Sequence, residues 1–110
     1  MPKFITIGYG DNEGYDRTPQ TVRAAAHAHD EVLQKSGALM GIAGVPVQVR
    51  NHAAKGVQTK AGPFMTSQLP VAGFAVIEAA TMAEAIKMVS QAPCAVAYGV
   101  VEVWPLEKTK

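Results

Sequence analysis

The stretch Lys60-Ala61-Gly62-Pro63-Phe64 lies near the middle of the chain and separates two halves of similar design. Upstream the pattern predicts a strand, a helix, a strand and a hairpin; downstream it predicts a strand, a helix and a strand. Gly62 precedes a proline and is expected to be extended. Pro63 fixes a bend, and Phe64 supplies a large apolar ring that can pin the loop. We therefore interpret this stretch mainly as the junction of the two halves, and secondarily as a bend that shapes a ligand cavity.

Length and composition favour one domain that associates with itself. The 110 residues suit a single hydrophobic core, and nothing in the sequence resembles a linker, so we expect one domain over residues 1–110. Charged residues make up only 17% of the chain. So few charges leave more apolar surface than a small domain can easily hide, which favours self-association.

Several classes of function are not expected. The net charge of +1 comes with scattered basic residues, so the chain lacks the basic patch typical of nucleic-acid binding. It has no apolar run of the ~18–20 residues that cross a bilayer and no signal-peptide pattern, which favours a cytoplasmic protein. Its single cysteine, Cys94, excludes an intrachain disulfide and a cysteine-based zinc cluster. No motif predicts a metal site or a cofactor.

The first half predicts a strand at Phe4–Tyr9, a polar loop over Gly10–Arg17 and a helix that begins at Thr18-Pro19 and runs to about Ser36. At 100° per residue His27 falls on the outer side of this helix. The predicted inner stripe consists of Val22, Ala25, Ala26, His29, Leu33 and Ser36.

The remaining elements follow from alternation and capping signals. Strands are predicted at residues 38–43, 73–79 and 96–103, and a hairpin at 47–50 and 57–60. Thr81 and Glu84 form a capping box that starts a second helix, and Pro93 is expected to end it. The order β-α-β, hairpin, β-α-β predicts an α+β fold, a ferredoxin-like antiparallel sheet with both helices on one face.

The other face of the sheet is also predicted to be apolar. With no third helix to cover it, a second copy packing sheet to sheet is the simplest solution. We therefore expect a homodimer, with a cavity between sheet and helices or near the dimer seam.

Several of these residues carry a resemblance that spans nearly the whole chain. Lys60–Phe64, Ala72-Gly73-Phe74, Ala92-Pro93 and the stretch Val101–Leu106 resemble the YCII-related family, and most closely its DGPF branch. Tyr9-Gly10-Asp11 and Gly37-Ala38-Leu39 also fit. The resemblance implies a dimeric α/β barrel of ferredoxin-like subunits. Ala61 stands where the branch hallmark has aspartate, so that carboxylate is absent here.

The resemblance also implies chemistry for some members, which break down aromatic compounds through a His/Asp pair. We therefore name His29 and Asp11 as candidate catalytic residues and Tyr9, Lys60, Pro63 and Phe64 as candidate ligand-binding residues. A buried histidine suits acid/base work, yet His29 can equally be a core residue bonded to a backbone carbonyl. Cys94 is interpreted as a small buried hydrophobe.

Two functions are compatible with these residues. The first is a dimeric binding protein or enzyme whose cavity, between the sheet and the first helix, takes a small organic acid or lactone. The second is a non-catalytic accessory or sensing module, linked to transcription regulation because the DGPF branch is associated with sigma factors.

Overall fold

The computed structural model describes residues 1–108. Along this part of the chain, no helix is both long enough and apolar enough to cross a membrane. The strands are β1 (Lys3–Tyr9), β2 (Leu39–Ile42), β3 (Val47–Arg50), β4 (Gln58–Ala61), β5 (Val71–Glu78) and β6 (Val100–Pro105). The α-helices are α1 (Asn12–Arg17), α2 (Gln20–Lys35), α3 (Met82–Val89) and α4 (Pro93–Val96).

Four strands form the main sheet, in the order β2-β5-β1-β6, and every neighbouring pair is antiparallel. Phe4 on β1 lies opposite Ile77 on one side and Pro105 on the other. The predicted α+β class with antiparallel sheets is confirmed, and this strand order is consistent with a ferredoxin-like sheet built from two β-α-β units.

Strands β3 and β4 form a separate two-stranded antiparallel sheet, with Val47 opposite Ala61. Two hydrogen bonds hold the following bend against it: the N–H of Gly62 donates to the carbonyl of Pro46 at 3.0 Å, and Gln48 Nε2 donates to the carbonyl of Gly62 at 3.2 Å. Gly62 has φ of +100°, so the extended conformation expected before Pro63 is wrong. This left-handed region favours glycine and explains why glycine stands there.

The core lies between the main sheet and the helices. Its buried cluster joins Phe4 and Ile77 of the sheet to Ala85 and Val89 of α3, with Ala79 at the turn between them. The start of α3 is predicted correctly from the sequence. The N–H of Glu84 donates to Thr81 Oγ1 at 3.2 Å, as the capping box predicts. The Glu84 carboxylate reaches one residue further back than expected and accepts from the N–H of Ala80 at 3.3 Å.

The loop predicted over residues 10–17 contains the short helix α1. Asp11 starts this helix, because its Oδ1 accepts a hydrogen bond from the N–H of Gly14 at 2.9 Å. Thr18 ends it by donating its hydroxyl to the carbonyl of Gly14 at 2.8 Å. Gly14, one of the residues that suggested a loop, lies within this helix. Its lack of a side chain allows α1 to pack closely against Ala97, which follows α4.

Pro93 also behaves differently from expectation. It occupies the first turn of α4, where a missing N–H costs nothing, so it begins a short helix as well as following α3. The chain then turns through Tyr98, which has φ of 63°, and Gly99, whose Cβ position lies only 2.1 Å from the carbonyl oxygen of Tyr9. This turn delays the last strand to Val100.

We predict that Gly14→Ala destabilises the protein by about 1–3 kcal/mol, the usual cost of overpacking. A Cβ at this position would lie 2.4 Å from the carbonyl oxygen of Ala97, so the two short helices must separate. The control is Gly56→Ala, where no atom lies within 4 Å of the added Cβ. Urea unfolding followed by circular dichroism checks this; equal stability of the two variants would contradict the close packing.

Candidate functional site

A cavity of about 570 Å³ lies between the main sheet and α2, bordered at one end by Ile77 and Val89 of the buried cluster. Its floor is the helix-facing side of the strands: Thr6, Gly8, Gly73, Ala75, Ile77 and Val101. Leu33 of α2 and Val89 of α3 contribute apolar side walls. A site of this kind, apolar with a few polar groups, is typical of small-molecule binding.

Glycines shape one part of the floor. Gly8 and Gly73 are direct partners in the β1–β5 register, so two adjacent floor positions carry no side chain. Both have close neighbours: a Cβ at Gly8 would lie 3.0 Å from Cys94 Sγ, and one at Gly73 would lie 2.7 Å from the carbonyl oxygen of Gly41. The two glycines therefore let Cys94 of α4 and the backbone of β2 lie close to the floor.

The polar wall of the cavity is built by α1 and α2. The Tyr15 hydroxyl lies 2.9 Å from His27 Nε2, a hydrogen bond whose direction depends on the histidine tautomer. The two ring centroids are 5.9 Å apart, and the guanidinium of Arg23 lies 4.8 Å from the centroid of the Tyr15 ring. Arg23 thus holds the tyrosine from one side while His27 holds its hydroxyl.

Asp30 lies one turn after His27 on the same face of α2, and it also lines the cavity. Within residues 1–108, no group donates a hydrogen bond to its half-buried carboxylate. Burial raises the pKa of Asp30, while the nearby imidazoles of His27 and then His29 act in the opposite direction. The wall therefore offers a partly buried carboxylate beside a tyrosine–histidine pair.

Cys94 lines the cavity from the first turn of α4. Burial, and then the negative charge of Asp30, raises the pKa of its thiol. The thiol is therefore a weak nucleophile at neutral pH, because only the thiolate attacks readily. The interpretation of Cys94 as a purely buried hydrophobe needs correction, since its side chain is half-buried and faces the cavity.

The two candidate catalytic residues lie in different places. His29 Nε2 is 2.5 Å from the backbone carbonyl of Met88, a contact that ties α2 to α3, and His29 is not among the described lining residues. Asp11 lines the mouth of the cavity, with one carboxylate oxygen engaged as the cap of α1. The structure does not pair them, and it supports the backbone-bonded alternative for His29.

The candidate ligand-binding residues lie outside the cavity. Tyr9 points to the opposite face of the sheet and donates its hydroxyl to Glu102 Oε1 at 2.6 Å. That hydrogen bond is the main cause of the raised pKa of Tyr9. Lys60, Pro63 and Phe64 are exposed on the β3–β4 sheet and the bend that follows it, where the Arg50 guanidinium lies 5.7 Å from the Phe64 ring centroid.

The sequence placed His27 on the outer side of α2, where it is indeed exposed, and neither Asp30 nor Tyr15 was named as a candidate. The signal was present on the flank of the helix: His27, Asp30 and Gln34 recur at helical spacing, and all three line the cavity. Of the expected inner stripe, Ala26 and Leu33 are buried, whereas Val22, Ala25 and Ser36 are exposed. If Asp11 had been recognised as a helix cap, the sequence would have predicted α1 and placed Tyr15 on a helix beside α2.

The described residues contain no group of three or more histidine, cysteine, aspartate or glutamate side chains arranged to hold a metal ion.

Comparison with known proteins supplies the family. No curated protein sequence matches the chain. The model of the YCII-related domain matches residues 3–110, nearly the whole sequence. The match is consistent with the α+β fold and its antiparallel sheets. The chain therefore belongs to the YCII-related domain family.

Proposed function

We propose that this protein binds a small, largely apolar molecule in the cavity beneath α2 and acts on it by acid/base chemistry. The observation that carries the proposal is the convergence of Tyr15, His27 and Asp30 on one wall of an otherwise apolar cavity of about 570 Å³. A sealed, empty apolar cavity of that size would cost on the order of 10 kcal/mol, comparable to the whole stability of a domain. A cavity open to water and to ligands avoids that cost.

The polar wall contains the groups that proton transfer requires. His27 and Tyr15 can pass a proton between ring nitrogen and hydroxyl, because the two atoms are 2.9 Å apart. Burial raises the pKa of the Asp30 carboxyl group. A higher pKa lies closer to neutral pH and makes the carboxylate a stronger base. In this proposal the acid/base role expected of His29 and Asp11 passes to His27 and Asp30.

Ligand binding is tested by filling the cavity. Ala75→Leu adds a branched side chain to the floor, and we expect it to weaken binding of benzyl alcohol by roughly ten-fold or more. Ala83→Leu makes the same change on the exposed side of α3 and serves as the control. Chemical-shift titration of the methyl groups measures both. Unchanged binding in Ala75→Leu would place the ligand elsewhere.

Catalysis is tested with dihydrocoumarin, a small neutral lactone. We expect the wild-type protein to hydrolyse it and His27→Gln to lose roughly a hundred-fold in rate, the lower range for a general acid or base. His52→Gln, an exposed histidine distant in sequence, is the matched control. Binding without turnover by the wild-type protein would exclude this lactone chemistry and favour the alternative, a ligand-sensing accessory module of the kind linked to sigma factors.

We further propose that the protein is a homodimer, a dimeric α/β barrel in which a second copy covers the open face of the sheet. The open face is the side opposite the helices: Ile5, Ile7, Leu39, Phe74, Val76, Val100 and Trp104. Large apolar side chains are exposed across the width of this face: Leu39 on β2 is 75% exposed, Phe74 on β5 50% and Trp104 on β6 52%. Apolar surface of this extent is unusual in water. The Lys3–Glu78 ion pair, at 3.1 Å, lies at one end of this face.

An unpaired charge within such an interface should separate the two copies. We expect the wild-type protein to sediment with twice the mass of one chain and Trp104→Glu to sediment as a monomer, because an unpaired buried carboxylate is strongly unfavourable. Val32→Glu, on the exposed side of α2, should leave the mass unchanged. A wild-type monomer at micromolar concentration in analytical ultracentrifugation would refute the dimer.

A further inference from the structure

We propose that the ligand of the cavity is a small apolar amine, whose ammonium group binds the Asp30 carboxylate while its apolar part lies on the floor of the sheet. The inference rests on the proposed function, because it names the ligand class for the same cavity. It departs from the small organic acid that the family resemblance suggested.

The charges that line the cavity favour a cation over an anion. The described lining holds two carboxylates, Asp11 and Asp30, and contains neither lysine nor arginine. The lining also includes His27, whose Nε2 is engaged by the Tyr15 hydroxyl. Arg23 is outside the lining: it lies on the Tyr15 ring and donates to Gln20 Oε1 at 3.3 Å. A carboxylate ligand would approach both aspartates across apolar walls that screen charge poorly.

Asp30 provides the specific contact. Its carboxylate is half-buried at the cavity wall, and none of the described residues donates a hydrogen bond to it. Burial without a donor is unfavourable for an ionised group, and an ammonium ligand would supply the missing hydrogen bond together with the opposite charge. A neutral hydroxyl would supply the hydrogen bond alone, and a carboxylate would supply neither.

The rest of the cavity suits the apolar part of such a molecule. Ala75, Ile77 and Leu33 form apolar surface around the floor. Tyr15 lies at the same wall as Asp30, but its ring is already in contact with the Arg23 guanidinium and is not a second site for the ammonium group. The amine is therefore recognised by one carboxylate and by the apolar surface of the floor.

The test compares three probes of nearly equal shape: benzylamine, benzyl alcohol and benzoate. Their Kd values are measured by chemical-shift titration at pH 8, where benzylamine is charged and imidazoles are ordinarily neutral. We expect benzylamine to bind about ten-fold or more tightly than benzoate, with benzyl alcohol between them, as one charge-assisted hydrogen bond would produce.

Two variants distinguish a direct contact between the ammonium group and Asp30 from a general effect of the negative charge on α2. Asp30→Asn should reduce the preference for benzylamine over benzyl alcohol to within about two-fold, because the amide keeps the shape and removes the charge. Glu31→Gln also removes one negative charge from α2, at an exposed position outside the cavity, and should keep the preference.

The outcomes of this experiment distinguish failure of the amine assignment from failure of the proposed binding cavity. Equal binding of all three probes, tighter binding of benzoate, or a preference that survives in Asp30→Asn would overturn the amine assignment and leave the cavity as a binding site. Failure of every probe to bind would overturn the assignment and the proposed function together.

Discussion

The structure depends on the side-by-side contact of Gly8 and Gly73 in the β1–β5 register. At the other end of the same two strands, Phe4 and Ile77 fill the space between sheet and α3, and the core is closed. Where the two glycines meet, the sheet carries no side chains, and Cys94 of α4 packs against Gly8 at the border of the cavity. One antiparallel pair thus provides both the hydrophobic core and the cavity, and a change of residue size along the strands decides which forms where.

The second requirement is that the short helices approach closely. Gly14 in α1 packs on the carbonyl of Ala97, and Gly99 packs on the carbonyl of Tyr9, so α1 and α4 are held against the end of the sheet. This packing brings Tyr15 to within hydrogen-bonding distance of His27. The polar wall is therefore a tertiary feature, because α1 and α4 are too short to be stable in isolation and depend on these contacts.

Much of the fold could be predicted from sequence because it rests on local signals. Alternation identified the strands, and the Thr81 and Glu84 pair marked the start of α3. The candidate site could not be predicted as well, because it depends on how α2 rotates over the floor. His27 and His29 lie on opposite flanks of the buried line through Ala26 and Leu33, about 160° apart around the helix axis. Only packing decides which flank borders the cavity: His29 lies against the Met88 carbonyl, and His27 and Asp30 line the cavity. Similarly, Gly14 contributed to the prediction of a loop after β1, but in the structure it lies in α1 and allows close packing against Ala97.

The central claim is that small molecules enter the cavity beneath α2, and the single cysteine of the chain reports on this directly. Cys94 lines the cavity, so its alkylation by the neutral reagent N-ethylmaleimide should be slow and should slow further as benzyl alcohol is added, reaching a limit once the cavity is full. The half-maximal concentration should equal the Kd from titration. An alkylation rate that is independent of benzyl alcohol, at concentrations that saturate its binding, would show that the ligand lies elsewhere and would contradict the account.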